Sequence, residues 1–398
     1  MRFVFLPVNH PPSGPDPDDI RDLLARGAAV TERCLAHAAR RDREPVAEAA
    51  FPVEEFGFLA DAGLLAAALP RALGGDGFGA GPGTILPLLR LLKHVGRGSL
   101  PTGRIYEGHV NALQLVALFG TPEQLARAAD EVHGGRRIFG VWNAEEAGGI
   151  RFAELGNGRV RMEGSKLFCS GTGHVTRPIV TGKLPGGGWQ MAVVPMDRVS
   201  PKIEHAWWQP VGMEATVSAA VDFTGIELGP DDLLGPPDAY YRDPWFNGGA
   251  IRFAAVQLGG AEALYDAARF SLQDLGRTDH PSQRLRASQM AMAIESGNLW
   301  LQGAAAAWEL PPEEGPLIGT YAAMVRTAVE EIAQTVIREV ERTVGARGMM
   351  RPAPFGRMVR DLTMYLRQPA PDAVIERVGR HVLEDRHPAG AMWPSGRC

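Results

Sequence analysis

The sequence predicts an α+β fold, mostly α, in which a helical domain, a small β domain and a second helical domain follow one another. Three observations predict it. Residues 19–129 are rich in Ala and Leu, with apolar residues at three- and four-residue spacing. From Gly134 the chain breaks into short segments of β-branched and aromatic residues separated by Gly, Asn, Pro and Asp turns. After "YYRDPWFNGG" the helical spacing returns and holds. The expected domains are 1–133, 134–236 and 237–398, since 398 residues are too many for one simple core.

The opening "MRFVFLPVNHPPSGPDPDD" is too short in its apolar part and too rich in proline for a signal peptide; it reads as a loose arm leading to a helix that starts in "DPDD". Two loops break the first helical block, the glycine-rich "LPRALGGDGFGAGPG" (69–83) and "GRGSLPTGR" (96–104). In the middle block, "ELGNGRVRMEG" predicts a hairpin with Asn157-Gly158 at its tip. In the last block, Val325, Val329, Ile332, Val336, Val340 and Val344 form an apolar stripe that predicts a core-facing helix. "WWQP" (207–210) and "DPWFNGG" (243–249) either line a substrate mouth or, the preferred reading, staple the β domain to the bundle.

A formal net charge of −5 argues against nucleic-acid or anionic-membrane partners, which want clustered Lys and Arg. No apolar run reaches spanning length. Cys34, Cys169 and Cys398 are too few and too scattered for a disulfide framework or a metal site, which fits a reducing cytoplasm.

Several phrases in this order resemble the acyl-CoA dehydrogenase superfamily over essentially the whole chain. They are "GLLAAALPRALGGDGFG" (63–79), "VGMEATVSAAVDFTGIELGPDDLLG" (211–235) and "TVGARGMM" with "PFGRMVRD" (343–361). The resemblance implies a C-terminal four-helix bundle and a homotetramer or dimer. It also implies one FAD per subunit between β domain and bundle, and oxidation of the CH–CH bond of an acyl thioester such as an acyl-CoA. Electrons would pass to a protein partner.

By the same resemblance, "FGVWNAEEAGG" supplies Val141, Trp142 and Asn143 along the flavin, Trp142 alternatively being a sheet-core aromatic. Glu145 and Glu146 are expected to cap the loop that follows. In "KLFCSG", Phe168 stacks on the ring and Ser170 offers its hydroxyl, while Cys169 points to the opposite face as packing. Arg277 would meet the pyrophosphate, and Arg342 with Gly345 would reach the FAD of a neighbouring subunit.

The chain departs from the family at the catalytic glutamate. Counting from Arg360-Asp361, the glutamate position holds Pro369, and the second base position known in the family falls at Gly249. Proline has no titratable atom. Asp372 is the nearest carboxylate, and His109 in "YEGHVNAL" is the best histidine.

Three functions follow. The first is an FAD-dependent oxidoreductase of the acyl-CoA dehydrogenase type with an unconventional base. The second is a flavin monooxygenase of the same fold, fed by a reductase and suggested by the F-x-SG phrase, although Gln368 stands where that branch has a second histidine. The third is a non-catalytic subunit that binds FAD or acyl-CoA.

Overall fold

The computed structural model describes residues 14–44, 50–146 and 148–394. The arm at residues 1–13 and Cys398 lie outside these described residues. The first helix begins in "DPDD" as expected: α1 (Pro17–Arg41) has Asp16 as N-cap, accepting from Asp18 N–H at 2.9 Å, and carries Asp18 and Asp19 in its first turn. There follow α2 (Val53–Asp61), α3 (Ile85–Gly98), α4 (Leu100–Phe119) and α5 (Pro122–Gly135). Thr121 and Gln124 close a capping box at the start of α5.

The loop expected over 69–83 is present, with Gly74, Gly77, Gly79 and Gly83 all at positive φ. That expected over 96–104 is not. Only Ser99 separates α3 from α4; it is extended (φ −164°, ψ 117°), and its hydroxyl accepts from Thr102 N–H at 3.3 Å. The glycines of that stretch serve a helix crossing instead.

Ten strands occupy 138–234: β1 (Ile138–Trp142), β2 (Arg151–Gly156), β3 (Arg159–Glu163), β4 (Ser165–Lys166), β5 (Val175–Lys183), β6 (Trp189–Val193), β7 (Lys202–Glu204), β8 (Ala220–Asp222), β9 (Glu227–Leu228) and β10 (Leu233–Leu234). One sheet runs β10-β6-β5-β2-β3-β9 with β1 parallel to β5; a smaller sheet runs β4-β8-β7. The β2–β3 hairpin turns on Asn157 (φ 52°) and Gly158 (φ 73°), the two positive φ values a type I′ turn requires.

The second helical block contains α6 (Ala250–Asp274), α7 (Pro281–Trp308), α8 (Gly315–Gly348), α9 (Phe355–Tyr365), α10 (Pro371–Glu384) and α11 (Ala389–Met392). Helices α6, α7 and α8 pack mutually, with α9 against α6 and α10 against α8. The α8 stripe from Val325 to Val340 is buried, and Val344 packs at its end. No helix among the described residues is long and apolar enough to cross a membrane.

The two helical blocks meet along α3 and α6. A Cβ on Gly96 would lie 2.2 Å from the Val256 carbonyl oxygen, and one on Gly259 would lie 2.0 Å from that of Lys93. Backbone touches backbone there, and the crossing sets α4 against the amino-terminal end of α6, while β1 packs on α4.

Candidate functional site

Strand β1 lies along α4 and ends at Trp142, and Asn143 follows it beside the turn after β4. That turn is built for exposure of one ring. Phe168 has positive φ (51°) and is 47% exposed, although a phenylalanine ordinarily seeks cover. Trp207 stands edge-on to it at 4.8 Å between centroids, and Trp208 does so at 6.2 Å. A flat apolar shelf open on one side results, suited to a planar ring system.

Polar groups frame the shelf. Asn143 Oδ1 accepts from the hydroxyls of Thr181 at 2.5 Å and Tyr241 at 2.7 Å, which leaves its amide N–H groups for a ligand. Ser170 Oγ accepts from Ser218 at 3.1 Å, while its only donor contact among the described residues, to the Phe168 carbonyl, is a long 3.5 Å. Its hydrogen is therefore available.

Under the strand end lies Lys166, completely buried, ion-paired to Glu145 and donating to the Asn143 carbonyl at 3.2 Å. Burial pulls the pKa of its ammonium down, and Glu145 pulls it back up. Glu145 thus neutralises a buried lysine where a loop cap was expected.

Val141 and Trp142 lie on β1 with Asn143 just beyond its end, and Phe168 and Ser170 lie in the turn after β4. Trp142 is a sheet-core aromatic, 2% exposed, whose indole N–H donates to the Ser170 carbonyl at 3.0 Å and locks the turn. Cys169 is fully buried, and burial pushes its thiol pKa up. "WWQP" flanks Phe168 within the β domain where a staple to the bundle was expected. In "DPWFNGG", Trp245 reaches Phe119 of α4 and Phe246 packs on Tyr240 and Tyr241.

Arg277, Arg342 and Gly345 do not join the shelf within one chain. Arg277 follows the distal end of α6, whose 25 residues span about 37 Å from the Gly249 end. Gly345 lies 30 residues along α8 from Gly315, which abuts Asp243, a distance of about 45 Å. Arg342 is exposed and bonded to Glu339 at 3.2 Å.

The two catalytic candidates are corrected by their surroundings. His109 is fully buried with both ring nitrogens occupied: Nδ1 accepts from Phe139 N–H at 3.0 Å, and Nε2–H donates to the Leu65 carbonyl at 2.7 Å. Burial holds its pKa down at about 4. It bridges α4, β1 and the 64–66 turn as a structural histidine. Asp372 is exposed in the first turn of α10, the setting of a solvated helix-start charge. The Pro369 carbonyl accepts from Arg326 at 2.7 Å, and Gln368 Nε2 donates to the Tyr365 carbonyl at 2.8 Å. A Cβ on Gly249 would meet Arg252 Nη2 at 2.7 Å, so a guanidinium borders the second base position.

Sequence reasoning missed a buried polar cluster between α4, α6 and α9. Arg104 pairs with Glu107, Tyr240 and Arg252 lie on α4's α6-facing side, and Tyr365 is buried with no partner for its hydroxyl among the described residues. Burial pushes the Tyr240 hydroxyl pKa up to about 12. Only the tyrosines and "YYRDPWFNGG" signalled it; single charges read as solvated until their burial is known.

Comparisons with known proteins agree with this architecture. Residues 18–135 match the family model "Acyl-CoA dehydrogenase, N-terminal domain", and residues 242–366 match "Acyl-CoA dehydrogenase, C-terminal domain". Among curated relatives, dibenzothiophene monooxygenase of Rhodococcus erythropolis is 27% identical over 92% of this chain and 94% of its own. The probable FMNH2-dependent monooxygenase SfnC of Pseudomonas putida is 24% identical over 97% and 99%. The solved structure of TdsC from Paenibacillus sp. A11-2 with FMN and indole superposes with a TM-score of 0.81 at 21% identity, covering 92% of this chain and 98% of that one, which shows a shared fold. With matching terminal-domain models that together span more than half of its length, the chain belongs to the acyl-CoA dehydrogenase superfamily.

Proposed function

We propose that the chain is a flavin-dependent monooxygenase that receives reduced FMN from a separate reductase and oxygenates a small molecule. One observation carries the reading above all. The ring shelf of Phe168, Asn143 and Ser170 is complete, whereas the two base positions of the dehydrogenases hold Pro369 and Gly249, the latter bordered by a guanidinium. Abstraction of an α proton needs a basic atom there, and an arginine is no base. The relatives named dibenzothiophene monooxygenase and FMNH2-dependent monooxygenase favour the same branch. They favour it over the acyl-thioester dehydrogenase that the sequence first suggested.

Bound reduced flavin would supply oxygen activation and the electrons. The chain's own residues bind and orient it. Phe168 would cover one face, the Asn143 amide would donate to the polar edge, and the Ser170 hydroxyl would donate toward the reacting edge. Trp207 and Trp208 would exclude water from the same side. FMN rather than FAD suits the separation of Arg277 from the shelf, since no pyrophosphate then needs it. Arg342 and Gly345 would act, if a ligand reaches them, from a neighbouring copy.

The test mixes purified protein, a flavin reductase, NADH, FMN and labelled dioxygen with dibenzothiophene, indole and small sulfinates. Product carrying one labelled oxygen atom, dependent on the reductase, is expected, and Ser170→Ala should lower its yield at least tenfold. Anaerobic bleaching of the bound oxidised flavin by an acyl-CoA, without reductase, would restore the dehydrogenase reading.

A further inference from the structure

Between α4 and the corner leading into α6 lies a groove of about 330 Å³. Its walls are apolar and aromatic, with Leu115, Trp245, Trp308 and Ile318 among them. At its inner end lies Arg252, only 5% exposed. The contacts of this guanidinium are neutral: Nη1 donates to Gln114 Oε1 at 3.0 Å, Nη2 donates to Asn111 Oδ1 at 2.5 Å, and Nε has no partner among the described residues. The nearest buried carboxylate, Glu107, is taken by Arg104. The rim carboxylate, Glu309, is exposed and accepts from Gly83 N–H at 2.8 Å. Arg104, Glu107 and Arg252 therefore leave one positive charge uncompensated in an interior where a lone charge is costly.

We propose that this groove binds a small organic acid, its anionic group on Arg252 and its apolar body between Trp245 and Trp308. A carboxylate or sulfinate matches the planar fork of the guanidinium, and the groove holds a body the size of one aromatic ring. Burial also lowers the pKa of Arg252, Glu107 and Tyr240 acting against it, as expected of a cation awaiting its counter-ion. Asn111, in the groove wall, hydrogen-bonds the Tyr240 hydroxyl, and a Cβ on Gly108 of α4 would lie 3.7 Å from Arg104 Nη1 and 3.9 Å from the Val141 nitrogen of β1. That the acid is the substrate to be oxygenated rests on the monooxygenase reading; the anion site itself does not.

Titration calorimetry on the full-length protein without flavin separates the two. Benzoate and benzenesulfinate are expected to bind at least tenfold more tightly than neutral benzamide. Arg252→Gln should abolish that preference. Asn111→Asp places a carboxylate on the guanidinium, and the Tyr240 hydroxyl can donate to it in place of accepting from the amide, so it should abolish the preference. Equal binding of benzoate and benzamide, or an acid preference that survives Asn111→Asp, overturns the proposal even if Arg252→Gln fails to fold. If the monooxygenase reading alone is wrong, acid binding persists and no labelled oxygen is incorporated with any substrate.

Discussion

At the scale of single residues, His109 carries a pH signature that a catalytic histidine would not. The unfolded chain takes up a proton near pH 6.5, whereas the folded chain resists until about pH 4. Stability from this group is therefore complete above pH 6.5 and is lost as pH falls toward 4, by about 3 kcal/mol in all. His109→Gln keeps a donor for Leu65 and an acceptor for Phe139 but cannot titrate. Urea denaturation between pH 4 and 7 should show a flatter slope in the variant; parallel slopes would place the histidine in contact with water. The sequence made Asn143, Phe168 and Ser170 legible because short phrases with a fixed strand-and-turn setting carried them. Arg252 and Glu107 were not legible, since their burial depends on two helices far apart in sequence. Likewise Trp142 could be read as cofactor cover or as core until its indole N–H was seen on the Ser170 carbonyl.

At the scale of elements, periodicity identified the helices, and Asn-Gly identified the hairpin, because both signals are local. What the sequence could not reveal was why "GRGSLPTGR" is rich in glycine. Gly96 and Gly103 face Val256 across a helix crossing, so glycine there marks close approach and not a loop. The consequence is a contrast between two glycine-to-alanine changes. Gly259→Ala sets a methyl group against the Lys93 and Arg97 backbone, and the helices must part, at a cost of at least about 2 kcal/mol. Gly379→Ala, on an exposed face of α10 with nothing within 4 Å, should instead stabilise by up to about 1 kcal/mol. Denaturant midpoints of both variants against the parent decide it; equal midpoints would mean that the crossing relaxes freely.

For the molecule as a whole, two of the phrases that carry the family resemblance lie against each other. Met213 N–H, in "VGMEA", donates to Asp361 Oδ1 at 2.7 Å, and a Cβ on Gly212 would lie 2.2 Å from the Arg360 carbonyl oxygen. The bundle thereby grips the β domain. The grip passes onward, because Gly171 N–H donates to the Thr216 carbonyl at 2.7 Å and Cys169 N–H to that of Ala219 at 3.0 Å. The segment held by Asp361 thus holds the Phe168–Gly171 turn in place. Asp361→Ala removes the acceptor and leaves a partly buried N–H unpaired, which costs about 1–3 kcal/mol. If the turn carries the flavin, the same change should weaken FMN binding roughly tenfold, equivalent to about 1.4 kcal/mol. Asp361→Asn keeps an oxygen in the same place and should retain both stability and FMN affinity. Fluorescence titration with FMN beside thermal unfolding separates the effects: lost stability with unchanged affinity would mean that the turn stands without the bundle, and the shelf would then belong to the β domain alone.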